Sequence, residues 1–431
     1  MTPVILVFLS VFLLQYAIET GLLVANLRRA AREHGVPRPL ASHVSEETAL
    51  RSRAYTLARG RFALVVGAGG ALLTLVILFS GLLPALDRAV VTAGLGGAHR
   101  FVAFLVALSI LLGLATLPAS LWNTFVLEER FGFNRTTPRL WLVDHAKGLL
   151  VQAALGIPLL YAIHAFMRST GRLWWIWLFL FLAAVQLFLT WLYPVVIAPL
   201  FNRFAPLPDG PLRARLVALA AEAGFANRGL FVMDASRRSG HSNAYFTGLV
   251  RPRIVLFDTL VERMSVDEAA SVLAHEIGHY RAHHVHRRVA LSLAGSLLGL
   301  FVLSRLLPWP PLYAAFGFDG PSLHAALALL SLGGGAFVFW LAPLAAAWSR
   351  RHEYEADRYA VRTARAPEAL KSALLRLNGE NLSNLHPHPS YAAWHYSHPP
   401  LAERLAAIDR AAAGAAAGPP PAAPRAEPER A

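Results

Sequence analysis

The sequence contains no cysteine among its 431 residues, which excludes disulfide bonds and metal sites built on thiolates. Charged side chains are also scarce, since Asp, Glu, Lys and Arg make up only 15% of the chain, against about a quarter in soluble domains. The net charge is nevertheless +14, but no nucleic-acid-binding motif accompanies it. We therefore expect no nucleic-acid partner and attribute the excess of Lys and Arg to loops that face anionic headgroups.

Long apolar runs are what the sequence has instead, and hydrophobic residues make up 55% of the chain. A run of about 18 or more apolar residues is long enough to cross a bilayer as a helix. The first run is predicted to be retained as a membrane span, because it lacks the features of a cleaved signal peptide. About seven spans are predicted, near residues 3–26, 62–86, 100–122, 148–167, 173–200, 289–308 and 323–348. The fold class is therefore an all-α polytopic membrane protein whose partner is the lipid bilayer.

Two hydrophilic regions lie after the fifth and the seventh span. The first has a mixed α and β pattern, with a helix predicted at Pro211–Gly224 and strands at Gly229–Asp234 and Arg253–Phe257. Ser265 and Glu268 then form a capping box that predicts the start of another helix. This pattern indicates an α+β domain inserted between membrane helices.

Basic residues alternate between loops and predict the orientation. The loop after the first span contains eight Arg residues between Arg28 and Arg61, and the loop after the third contains Arg130, Arg135, Arg139 and Lys147. The positive-inside rule places these loops, both hydrophilic regions and the C-terminus in the cytoplasm. The membrane would be a bacterial inner membrane or, in a eukaryote, the endoplasmic reticulum.

The strongest local signal is the HExxH sequence from His275 to His279. Residues four apart lie on one helix face, so both imidazoles can bind one metal ion while Glu276 holds the attacking water. The predicted third ligand is Glu353, and Asp357 one turn later would accept a hydrogen bond from a ligand imidazole. Two spans separate the two ligand groups, so the chain returns to the same side of the membrane. We expect one zinc ion per chain, with His284 as the alternative third ligand.

The chain resembles the zinc-dependent CAAX prenyl protease family, which consists of gluzincin-type membrane endopeptidases. The resemblance runs from about Glu128 to Arg410 and rests on ordered blocks at Glu128–Asn134, Ile197–Phe204, Asn243–Gly248, His275–His279, Glu353–Asp357 and His395–Arg404. It implies seven long helices around a water-filled intramembrane chamber, roofed by a zincin-like α+β metalloprotease domain.

The resemblance also implies roles for four residues. Asn243 and Ala244 would lie on an edge strand that binds substrate by strand addition. His398 would donate a hydrogen bond to the oxyanion, and Arg404 would orient the glutamate ligand or the substrate carbonyl. From the residues alone, Asn243 would be a turn residue and His398 an ordinary loop histidine.

These patterns divide the chain into five predicted parts. They are spans one to five at 1–201, a zincin-like peptidase domain at 202–288, spans six and seven at 289–348, the second half of the peptidase domain with the third zinc ligand at 349–410, and a disordered tail at 411–431.

The predicted function is peptide hydrolysis by a membrane-embedded zinc metalloendopeptidase, with Glu276 as general base. The family resemblance implies removal of the C-terminal tripeptide of prenylated CAAX proteins. Two alternatives stay open: a quality-control protease for misfolded or stalled membrane proteins, and a non-catalytic scaffold or transporter with a structural zinc site. The expected partner is a peptide or protein substrate, and the sequence does not decide whether it is prenylated.

Overall fold

The computed structural model describes residues 2–224, 229–247 and 253–416, which are mostly helical. In chain order the helices are α1 (Pro3–Arg32), α2 (Glu46–Phe79), α3 (Leu82–Thr92), α4 (Gly97–Trp122), α5 (Pro138–Ser169), α6 (Trp174–Leu192), α7 (Ala198–Phe201), α8 (Pro211–Glu222), α9 (Asp258–Arg263), α10 (Val266–Arg281), α11 (His284–Leu306), α12 (Pro310–Ala314), α13 (Leu323–Val338), α14 (Ala342–Ala364), α15 (Pro367–Glu380), α16 (Pro389–His395) and α17 (Leu401–Ala416). The strands are β1 (Phe204–Pro206), β2 (Leu230–Met233), β3 (Ala244–Thr247) and β4 (Arg253–Phe257).

Within the described part of the chain, seven helical stretches are long and apolar enough to cross a membrane, which confirms the predicted fold class. These stretches are Pro3–Arg32, Glu46–Phe79, Gly97–Glu128, Pro138–Ser169, Gly171–Phe201, His284–Leu306 and Leu323–Ala364. The second span differs most from its prediction at 62–86. Its helix ends at Phe79 because Gly81 adopts a φ of 79° and begins the separate helix α3.

Three predicted boundaries fall inside helices. Residues 289 and 349 lie within α11 and α14, so each membrane helix continues into the peptidase region without a break. Helix α17 continues to Ala416, past the predicted start of the tail at 411, because its alanines favour helix. The rest of the predicted tail, 417–431, lies outside the described residues.

An apolar core holds the seven spanning stretches together at the end away from the peptidase region. Every stretch contributes to it, and its largest buried side chains include Phe8, Ile77, Phe104, Leu178 and Tyr313. By contrast, the most apolar windows of the fourth and fifth stretches contain no buried residue. A helix in a solid bundle buries its inward face, so these two helices border open space on both sides. A cavity of about 1140 Å³, lined mainly by apolar side chains, lies between α2 and the end of α4.

The peptidase region has its own core and a small sheet. The core packs α8, α10, α15 and α17 together with β2 and β4. The strand order is β1-β2-β4-β3, with β2 parallel to β4 and both outer pairs antiparallel. The predicted strands correspond to β2 and β4. Strand β3 lies at one edge of the sheet and, among the described residues, pairs with β4 alone.

Candidate active site

Helices α10 and α14 pack side by side and bring the predicted metal ligands together. The predicted capping box begins α10, because the Ser265 hydroxyl accepts from the Glu268 amide and the Glu268 carboxylate accepts from the Ser265 amide. The His275 and His279 Nε2 atoms lie 3.2 Å apart. Each is also close to the Glu353 carboxylate on α14, at 3.5 Å from Oε2 and 3.3 Å from Oε1 respectively. Among the described residues, these three side chains form the group able to hold a metal ion.

The Glu353 carboxylate fits a metal ligand on its surroundings as well. Its side chain is buried, and Oε2 has no hydrogen-bond partner among the described residues. A buried carboxylate oxygen without a hydrogen bond is costly, and a bound metal ion would supply the missing contact beside the Arg404 guanidinium, which lies 3.6 Å away. Two imidazoles and a carboxylate are one of the donor sets found in catalytic metal sites. The residues present therefore fit the metal that the sequence predicts.

Gly278 allows α14 to lie close enough for this cluster to form. A Cβ at this position would lie 3.0 Å from the Ala356 Cα, 3.1 Å from the Ala356 carbonyl oxygen and 3.1 Å from the Tyr359 Cβ. Any larger residue would force the two helices apart. The glycine in the HExxH sequence is therefore a packing requirement between the helices that hold the ligands.

Asp357 and Arg404 lie directly behind His275. The His275 Nδ1 atom is 2.8 Å from Asp357 Oδ1, which leaves Nε2 facing the cluster. Arg404 donates to both oxygens of Asp357, from Nε at 2.7 Å and from Nη2 at 2.8 Å. The guanidinium is buried, and it lies 3.6 Å from Glu353 Oε2. Arg404 is thus placed to orient Asp357 and the glutamate ligand. Its burial and its two hydrogen bonds to Asp357 do not favour the alternative role of orienting a substrate carbonyl.

A second chain of contacts lies behind His279. Its Nδ1 is 2.9 Å from His284 Nδ1, and His284 Nε2 is 3.1 Å from Glu355 Oε2. His284 is buried, and the His352 ring stacks on it with centroids 3.8 Å apart. His284 therefore faces the outer nitrogen of His279, so it is not positioned to be the alternative third ligand at this cluster.

The pKa values of His275 and Glu276, the first two residues of the HExxH motif, are both raised but for different reasons. Burial would lower the pKa of His275, but its hydrogen bonds with Asp357 and Glu353 raise it to about 9 in the metal-free site. Loss of hydration raises the pKa of Glu276 to about 7. A carboxylate with a raised pKa is a more effective proton acceptor near neutral pH.

Known proteins resemble this chain over nearly its full length. A family model described as CAAX prenyl protease N-terminal, five membrane helices, matches residues 26–203, and that of peptidase family M48 matches residues 206–412. A CAAX prenyl protease 1 homolog of Oryza sativa subsp. japonica is 38% identical, covering 95% of this chain and 98% of the relative. The chain belongs to the CAAX prenyl protease family, within peptidase family M48.

Two further similarities agree with this membership. CAAX prenyl protease 1 of Saccharomyces cerevisiae is 36% identical, covering 92% of this chain and 93% of the relative. The crystal structure of S. mikatae Ste24p matches with a TM-score of 0.89 at 33% identity, covering 95% of this chain and 100% of that one. The M48 chain described here is therefore a membrane-embedded metalloprotease.

A cleft of about 630 Å³ lies beside the cluster in this M48 peptidase. Glu276 lines it, and so does His398, whose Nε2 is 3.4 Å from Glu353 Oε2 and whose Nδ1 is 2.9 Å from the Ser397 hydroxyl. Asn243 and Ala244 line the same cleft at the start of the edge strand β3. The structure thus brings seven of the predicted site residues to one cleft, with Asp357 and Arg404 behind it. Gly248, the last residue of the Asn243 block, lies outside the described residues.

Sequence reasoning missed Gly278, Glu355 and the inward position of His284. Only the Gly278 signal was visible in the chain, as a small residue directly before the second histidine of the motif. The link from His284 to Glu355 joins residues 71 positions apart and needs the tertiary structure.

Proposed function

We propose that this chain is a zinc-dependent endopeptidase that cleaves a peptide bound alongside β3, with His275, His279 and Glu353 as the zinc ligands, one ion per chain. The observation that carries the proposal is the spacing of the three ligands. The two imidazole nitrogens lie 3.2 Å apart, each lies 3.3 or 3.5 Å from a different oxygen of Glu353, and one ligand atom from each residue can be chosen so that all three lie within 4.8 Å of one another. Tetrahedral ligands at about 2.0–2.1 Å from zinc would be about 3.3–3.4 Å apart.

A zinc ion held there supplies Lewis-acid chemistry, which polarises a carbonyl group and acidifies water. Glu276, in the same cleft, accepts the proton of the attacking water and delivers it to the leaving amine. His398 donates from Nε2 to the oxyanion, since the Ser397 hydroxyl can satisfy Nδ1 and leave the proton on Nε2. Asp357 and Arg404 keep the Nε2 lone pair of His275 directed at the cluster.

The substrate strand is proposed to add to the free edge of β3, with Asn243 and Ala244 at its start. Both residues border the cleft that contains Glu276, so a strand paired there passes the catalytic carboxylate. Backbone pairing of this kind accepts many peptide sequences. The substrate must therefore be selected through features outside the paired strand.

The proposed substrate class is the C-terminal segment of prenylated proteins. The support for it is that the relatives similar to nearly the whole chain are CAAX prenyl proteases by name. The peptidase region is proposed to face the cytoplasm, because it lies at the same end of the bundle as the basic loops after α1 and α4. The predicted division of the chain is retained in this proposal, with 202–288 and 349–410 forming one peptidase domain, except that helix α17 extends this domain to Ala416.

The test compares wild type with Glu276→Gln in detergent. Zinc content should be about one per chain in both, while Glu276→Gln should lose at least about 100-fold in kcat on a prenylated CAAX peptide. Glu262→Gln, an exposed carboxylate on the neighbouring helix α9, serves as the matched control and should keep normal activity. Near-normal turnover by Glu276→Gln would refute the assigned base. Equal cleavage of unprenylated casein would instead favour a quality-control protease.

A further inference from the structure

The five residues Arg238–Ser242, here called the lead-in segment, run directly into Asn243 and the edge strand β3. Several parts of the molecule hold this segment, among them Asp144 on α5 through Arg238 and Thr259 on α9 through the His241 carbonyl. Two further contacts reach the residues next to Asn243. One is the block Glu128–Asn134 that follows α4, which the catalytic chemistry does not use, and the other is the end of α15.

The membrane side makes both backbone and side-chain contacts. The Gly240 amide donates to the Phe133 carbonyl at 3.0 Å, and Asn134 forms a β-bridge with Ser239. The His241 ring stacks on Phe133 with centroids 4.0 Å apart. His241 Nε2 lies 3.4 Å from Glu128 Oε2, a side chain that is mostly buried.

Glu128 is itself fixed by a neighbouring membrane helix. The Tyr55 hydroxyl on α2 donates to Glu128 Oε1 at 2.8 Å. The two carboxylate oxygens are therefore divided between α2 and the lead-in segment. This arrangement links the position of His241 to the membrane bundle.

At the end of α15, one amide side chain forms hydrogen bonds with the lead-in segment. Asn381 Oδ1 lies 2.9 Å from His241 Nδ1 and accepts from the Ser242 amide at 3.3 Å. Asn381 Nδ2 donates to the Ser242 carbonyl at 3.4 Å. The Ser242 hydroxyl donates to Glu380 at 2.8 Å. The residue before Asn243 is thus fixed at its amide, its carbonyl and its side chain.

We propose that Glu128, His241 and Asn381 are positioning residues for the substrate: they hold the lead-in segment so that the outer edge of β3 is kept in the conformation that pairs with the substrate strand. This inference rests on the proposed addition of substrate to β3. None of the three residues lines the cleft, so they act through β3 and not on the reacting atoms. Their loss should weaken ground-state and transition-state binding equally, which raises KM and leaves kcat unchanged.

The experiment uses the full chain in detergent, with Glu128→Gln and Asn381→Ala tested on a prenylated CAAX peptide. We expect KM to rise about tenfold in each variant, equivalent to about 1.4 kcal/mol, with kcat and zinc content within about twofold of wild type. If Asn381→Ala does not fold, the near-isosteric Glu128→Gln carries the test alone. Glu368→Gln is the control, because this exposed carboxylate at the opposite end of α15 pairs with Lys371, and its KM should not change.

A second peptide, N-methylated at the backbone amides beside the scissile bond, identifies the route of the effect. It cannot complete the ladder with β3, so wild type should bind it more weakly and the variants should add little further loss. A full additional tenfold loss on this peptide, or a fall in kcat or zinc with unchanged KM, would overturn the positioning role. If methylation does not change the KM of wild type, strand addition fails and this inference with it. If wild type cleaves neither peptide, the proposed function itself fails.

Discussion

The closest approach of the two ligand-bearing helices gives a sharp prediction at Gly278. In Gly278→Ala the new Cβ would lie 3.0–3.1 Å from atoms of Ala356 and Tyr359 on α14. Ordinary carbon contacts are about 3.5–4.0 Å long, so α14 must retreat by a few tenths of an ångström. Metal ligands tolerate only about 0.2 Å. Glu353, one turn earlier on the same helix, would then leave its bonding position.

The magnitude follows from the packing cost. Inserting a methyl group into a tight contact costs about 1–3 kcal/mol. If this cost is borne by the metal cluster, the dissociation constant for zinc rises by about 5- to 150-fold, since about 1.4 kcal/mol corresponds to tenfold. Activity at limiting zinc should fall in parallel, while activity at saturating zinc should recover in part. The assay is competition against a chelator, followed by peptide cleavage in buffers of fixed free zinc.

Gly295→Ala on α11 is the matched control, because nothing lies within 4 Å of a Cβ built there. It makes the same chemical change in a helix and should leave zinc affinity unaltered. Thermal unfolding with and without zinc separates a loss of metal affinity from a loss of fold. If Gly278→Ala binds zinc and cleaves peptide as wild type does, helix approach does not position the third ligand and the packing argument is refuted.

Three further predictions concern the groups behind the ligands. Arg404→Lys keeps the charge but loses the two-pronged contact with Asp357, so zinc affinity should fall by about 10- to 100-fold; unchanged affinity in chelator competition would contradict this. The pKa of about 9 for His275 in the metal-free site means that zinc must displace a proton. Affinity should therefore fall as the pH is lowered from about 8 to about 6, by up to about tenfold per unit, and a flat titration would refute the ion pairing. His284→Leu removes the partner of the other ligand histidine and should also weaken zinc binding by about 10- to 100-fold, whereas the exposed control His283→Asn should not.

Sequence reasoning succeeded where the signal is local or topological. The HExxH spacing and the capping box predicted a helix that carries both imidazoles, and the helix begins at the predicted residue. Glu353 is predicted from its place directly after the last span and from Asp357 four residues later, and the even number of spans fixes its side of the membrane but no distance. The membrane spans were visible as apolar runs. Their ends were less well predicted, because helices such as α2 and α14 continue into polar sequence.

Distances between elements were outside the reach of the sequence. Arg404 was expected near the zinc, but only the fold shows that its guanidinium is occupied by Asp357. His284 is the alternative third ligand because the resembled family also has a histidine at this position, and the tertiary structure turns it towards the outer nitrogen of His279. The lead-in segment is held by residues far away in the chain: the Arg238 carbonyl accepts from the Thr136 hydroxyl, 102 positions earlier. No periodicity in the sequence predicts this contact.

The arrangement of the site implies that the peptidase region and the bundle act as one unit. The helix that follows the HExxH motif begins with His284, which supports a ligand histidine, and then enters the membrane as α11. The helix that brings Glu353 leaves the membrane as α14 and also supplies Asp357 and Glu355. The apolar core at the far end of the bundle holds α11 and α13 together, and this fixes the directions in which α11 begins and α14 returns. The two spans therefore connect the metal cluster to the apolar core at the opposite end of the membrane helices, in addition to the direct packing of α10 on α14.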